Sequence, residues 1–132
     1  MTKALDTIKI SQQAKDQLTR LKAKTGIKNW NVLCRWAFCV SLAESTTPTK
    51  ISISTDSNVE MTWKVFGGQY SEIYYGLLKV RCKRDGYDLN EESLAEQFKL
   101  HLHRGIGYLF ADKSITSIGS LITMGLNNYD NQ

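Results

Sequence analysis

The stretch GIKNWNVLCRWAFCVSLAE, residues 26–44, reads as one helix that is apolar on nearly every side, with Asn31 and Arg35 as its sole polar strip. A helix of this kind must be covered on more than one face. The 132 residues are enough for one domain with a real core, but not for deep burial of such a segment on all sides. Other copies of the chain are therefore expected to complete its cover, which makes oligomerisation the first expectation.

No apolar run reaches the length of a membrane span, and MTKALDTIKIS lacks the basic, apolar and small-residue succession of a signal peptide. A cytoplasmic chain is expected, without membrane partners. Cys34, Cys39 and Cys82 form an odd set with no CxxC spacing, which argues against a disulfide scaffold, a zinc site or an iron–sulfur site and for reduced thiols. The net charge is +4, and its placement says more than its size. Residues 1–50 hold nine basic side chains against three acids, a balance of +6, while the rest of the chain is −2. The positive field belongs to the N-terminal part.

DTIKIS alternates, with Ile8 and Ile10 on one side and Thr7, Lys9 and Ser11 on the other, the period of a half-buried strand. Ser11 then suits the N-cap of a helix over QQAKDQLTRLKAKT, where Ala14, Leu18, Leu21 and Thr25 recur at helical spacing and Gly26 is placed to end it. The apolar helix follows from Asn29 or Asn31 to about Glu44. Strand, basic helix, glycine turn and apolar helix follow the order of a ribbon-helix-helix unit, in which two subunits pair their strands and present them to a DNA groove. A continuous helical bundle that uses only the lysines of the first helix is the alternative.

Residues 45–58 are rich in Ser and Thr, contain the only proline and read as a loop, with a brief strand around Ile51 and Ile53. VEMTWKVFGGQY is ambiguous, with Gly67 and Gly68 giving a turn before a second helical half. YSEIYYGLLKVRCKRDG is helical up to Gly86, and NEESLAEQFKLHLHRGIGYLF is helical with Asn90 as its cap and Leu94, Phe98, Leu102, Gly105 and Leu109 on one stripe. Gly105 on that stripe permits close approach of another backbone. A last helix is expected from Ser114 to Gly125, followed by a frayed tail. The fold class is thus mainly α: a short N-terminal strand and a helical bundle, ribbon-helix-helix-like at its start in one reading, oligomeric, in a single domain over 1–132. Within it lie a basic strand-helix-helix half (1–44), a loop or hinge (45–68), a helical half (69–125) and a tail (126–132).

On the first helix Lys15 and Lys22 share one flank of the apolar stripe, and Arg20 and Lys24 share the opposite flank. Scattered lysines usually mean a solvated face. Here few acids interleave, Lys9 and Lys28 extend the field beyond both helix ends, and a duplex rewards such clustering by counterion release. Lys9, Lys15, Arg20, Lys22, Lys24 and Lys28 are therefore the candidate DNA-binding residues. The start of the second helix adds backbone N–H groups suited to a phosphate. Thr7, Lys9 and Ser11 offer no bidentate Asn, Gln or Arg, so backbone or shape recognition is expected there rather than base readout.

Cys34 and Cys39 sit in the apolar helix, where a core role outweighs a reactive one. Arg35, with Asn31 one turn earlier, could pair with an acid of another subunit or reach a phosphate. His101 and His103 are two apart on a helix and cannot share a metal in the usual i, i+4 manner. GIG at 105–107 is no dinucleotide fingerprint, since Phe110 stands where a third glycine belongs. The residues suggest no catalytic group, no metal site and no cofactor.

TGIKNWNVLCRWAFCVSLAE, DSNVEMTWKVFGGQY and LHLHRGIGYLF, with the lead-in KISQQAKDQLTRLK, closely resemble the family of the DNA sulfur modification protein DndE. The likeness spans nearly all of residues 5–110, and the tail after Ala111 carries little of it. It implies a non-catalytic accessory protein of DNA phosphorothioation, assembled as a homotetramer, whose surface lysines hold double-stranded DNA and favour nicked duplex. It also implies other phosphorothioation proteins as partners: a cysteine desulfurase or its substitute, an iron–sulfur protein with an ATP-pyrophosphatase-like domain, and an ATPase of the chromosome-maintenance type. A structural adaptor between those proteins and a cysteine-based sulfur relay are the alternatives.

Overall fold

The computed structural model describes residues 5–130, with side chains through residue 126. Strand β1 (Thr7–Lys9) leads into α1 (Gln12–Thr25) and α2 (Trp30–Ala43). Strand β2 (Glu60–Thr62) runs straight into the short α3 (Trp63–Gly67), a 3-10 turn (Gly68–Tyr70) follows, and then α4 (Ser71–Arg84), α5 (Glu91–Ala111) and α6 (Ile118–Asp130). β2 and α3 fall inside the stretch 45–68.

The strand finds its partner within its own chain. β1 and β2 are antiparallel, with Ile8 opposite Met61 and both buried, and Thr7 and Lys9 opposite Thr62 and Glu60 on the wet side. The intersubunit pairing of a ribbon-helix-helix unit is therefore replaced by an in-chain ladder. The backbone bond from Trp63 N–H to the Asp6 carbonyl extends this tie to the start of α3. The segment around Ile51 and Ile53, expected as a strand, makes no ladder, and Ile51 is more than half exposed.

Local chemistry explains the first two helices. Ser11 caps α1 by accepting the Ala14 N–H at 3.0 Å, and Gly26, at φ 76°, ends it by donating its N–H to the Lys22 carbonyl. α2 and α5 cross at the centre of the core. A Cβ on Gly105 of α5 would lie inside the Ala37 carbonyl group of α2, so this crossing requires glycine. Beside it Phe38, Trp63, Phe66 and Phe98 form an aromatic cluster, with Phe98 within 5.0–5.1 Å of the other three ring centres, edge-to-face to Trp63 and Phe66 and tilted to Phe38.

Two arginines hold the end of α2. Arg81 of α4 donates to the carbonyls of Leu42, Glu44 and Thr46 and to buried Asp85, and Arg104 of α5 donates to the Ser41 hydroxyl and carbonyl and to the Thr46 carbonyl. They satisfy acceptors that a helix terminus leaves orphaned. Burial opposes ionisation of Asp85, but bonds from Arg81 and Arg84 outweigh it and hold the carboxyl below its usual range. Ser41 in turn shares a hydrogen bond between its hydroxyl and Nδ1 of fully buried His101 at 2.8 Å. Ser57 closes the far end of the connection by donating from N–H and Oγ to the Ile10 carbonyl.

The last helix departs from expectation at both ends. Asp112 accepts the Ser114 N–H and hydroxyl and holds a turn there, and Ser117 instead accepts the Ser120 N–H, so α6 starts at Ile118. Gly125 does not stop it. This glycine lies against the Trp36 ring, where a Cβ would be 3.3 Å from the nearest ring carbon, and the helix continues to Asp130. The tail residues 126–130 are thus helical in backbone, while 131 and 132 lie outside the described residues.

Candidate nucleic-acid interface

The buried row Ala14, Leu18, Leu21 and Thr25 turns the rest of α1 outward. Arg20 and Lys24 are exposed on one flank, and Lys15 and Lys22 are half-buried on the other. The six candidates then separate by partner. Lys9 faces Glu60 across the β ladder at 3.9 Å, and Lys15 donates to the Asn58 side chain at 2.6 Å. Among the described residues Arg20, Lys22, Lys24 and Lys28 make no salt bridge. Arg20 lies over the Phe110 ring, and Lys22 lies over the Trp30 ring with its Nζ 3.8 Å from the centre. Such a cation–π contact holds the charged group in place without neutralising its charge.

Trp30 is the first residue of α2, so Lys22 stands at the corner where α1 passes into α2, with exposed Lys28 in the connecting turn. Asn29 is the N-cap of α2 and makes no side-chain cap bond, and no acid lies in the first turn. Asn31 is used otherwise, donating to the Val65 carbonyl at 3.1 Å. The corner therefore combines ammonium groups with the positive end of a helix, the arrangement that favours an anion. Lys64, on the exposed side of α3 beside Val65, brings another cation to its border. The sequence offered no signal for Lys64, because it stands in an ambiguous segment read as part of the loop or hinge over 45–68. Ser11 drops out of the outward set, since its N–H donates to His103 Nε2 and its hydroxyl caps α1.

The thiols divide in the same way. Cys34 and Cys82 are buried, and burial pushes them up to about 12 and about 11. Cys39 opens to solvent on one side, in a hollow of about 290 Å³ with Val32, Arg35, Trp36 and Tyr74, and packing around it raises its pKa as well. No helix of the described residues is long and apolar enough to cross a membrane.

The family model of the DNA sulphur modification protein DndE matches residues 7–117. The chain belongs to the DndE family. The crystal structure of DndE from Escherichia coli B7A, involved in DNA phosphorothioation modification, is similar with a TM-score of 0.67 at 24% identity, covering 79% of this chain and 95% of that one. A glycine-to-lysine double mutant of DndE involved in DNA phosphorothioation gives a TM-score of 0.62 at 22% identity, with the same coverage. At these identities the likeness is one of fold. A search of curated proteins finds no match. The region shared with the DndE family contains β1 to α5 and with them every candidate basic residue, whereas α6 begins just after the matched residues.

Proposed function

We propose that this DndE-family chain is a non-catalytic, DNA-binding accessory of DNA phosphorothioation, which as a homotetramer holds duplex DNA by its backbone phosphates and prefers a nicked duplex. The observation that carries this reading is the α1–α2 corner: Lys22, Lys24 and Lys28 without acidic partners, beside a helix N-terminus with neither side-chain cap nor acid. Ammonium groups and backbone N–H donors hold phosphate without reading bases. The preference for a nick is supported by the placement of the two rows on opposite flanks of α1, because a duplex able to hinge can offer phosphates to both while a stiff one must bend at a cost. Of the two thiols considered for a sulfur relay, Cys34 is disfavoured by its burial, since a shielded thiol cannot accept sulfur, whereas Cys39 is exposed and has only its raised pKa against it.

The test is binding to intact and singly nicked duplexes of one sequence across a salt series, for the wild type and for Lys22→Glu/Lys24→Glu/Lys28→Glu. The wild type should bind the nicked form more tightly with a steep salt dependence, and the folded triple variant should lose roughly 3 from the log–log salt slope, about one per phosphate contact. Equal weak binding by both proteins would leave the adaptor role in its place.

A further inference from the structure

The candidate basic side chains differ in how firmly they are held. Lys24 and Lys28 are exposed and have no aromatic ring beneath them among the described residues. Lys22 and Arg20 each have one. The Lys22 Nζ lies 3.8 Å from the centre of the Trp30 ring, and the Arg20 guanidinium carbon lies 5.9 Å from that of Phe110. These two cations stand on opposite flanks of α1, and their rings come from different elements, Trp30 opening α2 and Phe110 standing near the end of α5. Both rings are half-buried. α2 and α5 cross at Ala37 and Gly105 with no room for a Cβ, so the close-packed core fixes the helices that carry the rings.

We propose that Trp30 and Phe110 are positioning residues for duplex binding: by seating Lys22 and Arg20 they set the separation of two phosphate contacts, and this fixed separation discriminates a nicked from an intact duplex. The proposal rests on the DNA-binding reading above and names the residues behind its preference. A free ammonium on its flexible stem follows a phosphate wherever the duplex presents it, so it adds affinity without choosing a backbone geometry. A seated ammonium keeps its charge but not its reach. Two such charges on opposite flanks of one helix accept only a duplex whose phosphates come to both, and a duplex that hinges at a break reaches that geometry more easily than a stiff one. Seating also removes side-chain freedom before binding, so less is lost when the phosphate arrives. Neither Lys22 nor Arg20 makes a salt bridge among the described residues, so no acid competes with the ring. The shorter distance and the larger π face make Trp30 the stronger seat.

The experiment measures affinity for intact and singly nicked duplexes of one sequence across a salt series. The proteins are the wild type, Trp30→Leu, Trp30→Phe, Phe110→Leu and Lys24→Ala, with circular dichroism to verify folding. Trp30→Leu should lower the nicked-to-intact affinity ratio roughly two- to fivefold, the worth of one exposed cation–π contact, and leave the salt slope as it was, because no charge is removed. Phe110→Leu should move the ratio the same way by less, Trp30→Phe should keep most of it, and Lys24→Ala should lower the slope and keep the ratio. On the free wild-type protein, NMR should find the Lys22 Hε protons upfield of those of Lys24 and Lys28, shifted by the Trp30 ring current. That measurement needs no substitution, so it decides the seating even if Trp30→Leu does not fold. Lys22 Hε protons that coincide with those of Lys24, a folded Trp30→Leu that keeps the full preference, or one whose salt slope falls with it would each overturn the proposal. A wild type that binds both duplexes equally overturns the nick preference and this proposal together, whereas a preference that survives in Trp30→Leu overturns this proposal alone.

Discussion

α1 and α4 are both 14-residue helices with one side in the core, yet they meet water differently. α1 turns out Gln12, Gln13, Asp16, Thr19, Arg20 and Lys24, whereas α4, besides the charged Glu72, Lys79, Lys83 and Arg84, turns out the apolar Ile73, Leu77 and Val80, with Tyr70 just before it. A charged outer face is at ease in water and selects a ligand of opposite charge. An apolar outer row gains free energy only when something apolar covers it. Two helices of equal length thus differ in what they present to solvent: one a largely polar and charged face, the other an apolar row beside its charges.

Breaking what the two faces share should have the largest effect. Arg81→Met removes three bonds to the end of α2 and leaves the buried Asp85 carboxylate with Arg84 alone, so a loss of about 3–5 kcal/mol is expected in denaturant melts, with DNA binding and association lost together. Gly105→Ala forces a methyl group into the Ala37 backbone and should cost about 1–3 kcal/mol or more, again for both faces at once. Acid gives a graded version. Burial, reinforced by Arg81 and Arg104, pushes His101 down to about 4, and its Nε2 has no hydrogen-bond partner among the described residues. The unfolded chain takes up this proton near pH 6.5 and the folded chain near 4, so the stability is intact above about pH 6.5 and falls by about 3 kcal/mol on acidification to pH 4. Thermal melts across that window check it, and His101→Gln should flatten the curve.

Smaller changes separate the faces. Lys24→Ala should lower DNA affinity evenly across sequences, reduce the salt slope by about 1 and leave the sedimenting mass unchanged. Val80→Ser should weaken association and leave the salt slope of each DNA-bound species as it was. If either substitution moved both readouts, the division between α1 and α4 would fail.

What was legible in advance follows the range of the interactions. Ser11, Gly26 and Asn90 were readable as caps because capping is settled within a few residues, and the stripe through Gly105 announced a close helix crossing. The strand partner was not readable, since pairing Ile8 with Met61 is a choice made across the whole N-terminal half. Ile51 and Ile53 alternate as well as Met61 and its neighbours do, yet it is Met61 that is buried opposite Ile8, with Trp63 N–H tied to the Asp6 carbonyl beyond it. The end of the last helix was misread because Gly125 has two possible reasons to exist, termination and packing, and the Trp36 ring that selects the second is distant in sequence. At the interface the lysines were visible as charges, but their partners were not, so Lys9 and Lys15 looked equivalent to Lys24 and Lys28 until Glu60 and Asn58 were placed.

The anchoring of residues 44–57 carries a consequence for design. Arg81 and Arg104 fix the chain at Thr46, and Ser57 fixes it again at Ile10, while residues 47–56 make no backbone-to-backbone hydrogen bond among the described residues. Lengthening a surface loop between fixed anchors adds little closure entropy. A short epitope or a fluorophore-bearing insert between Ser52 and Ser54 should therefore be tolerated, giving a reporter position away from both the lysine corner and the α4 row.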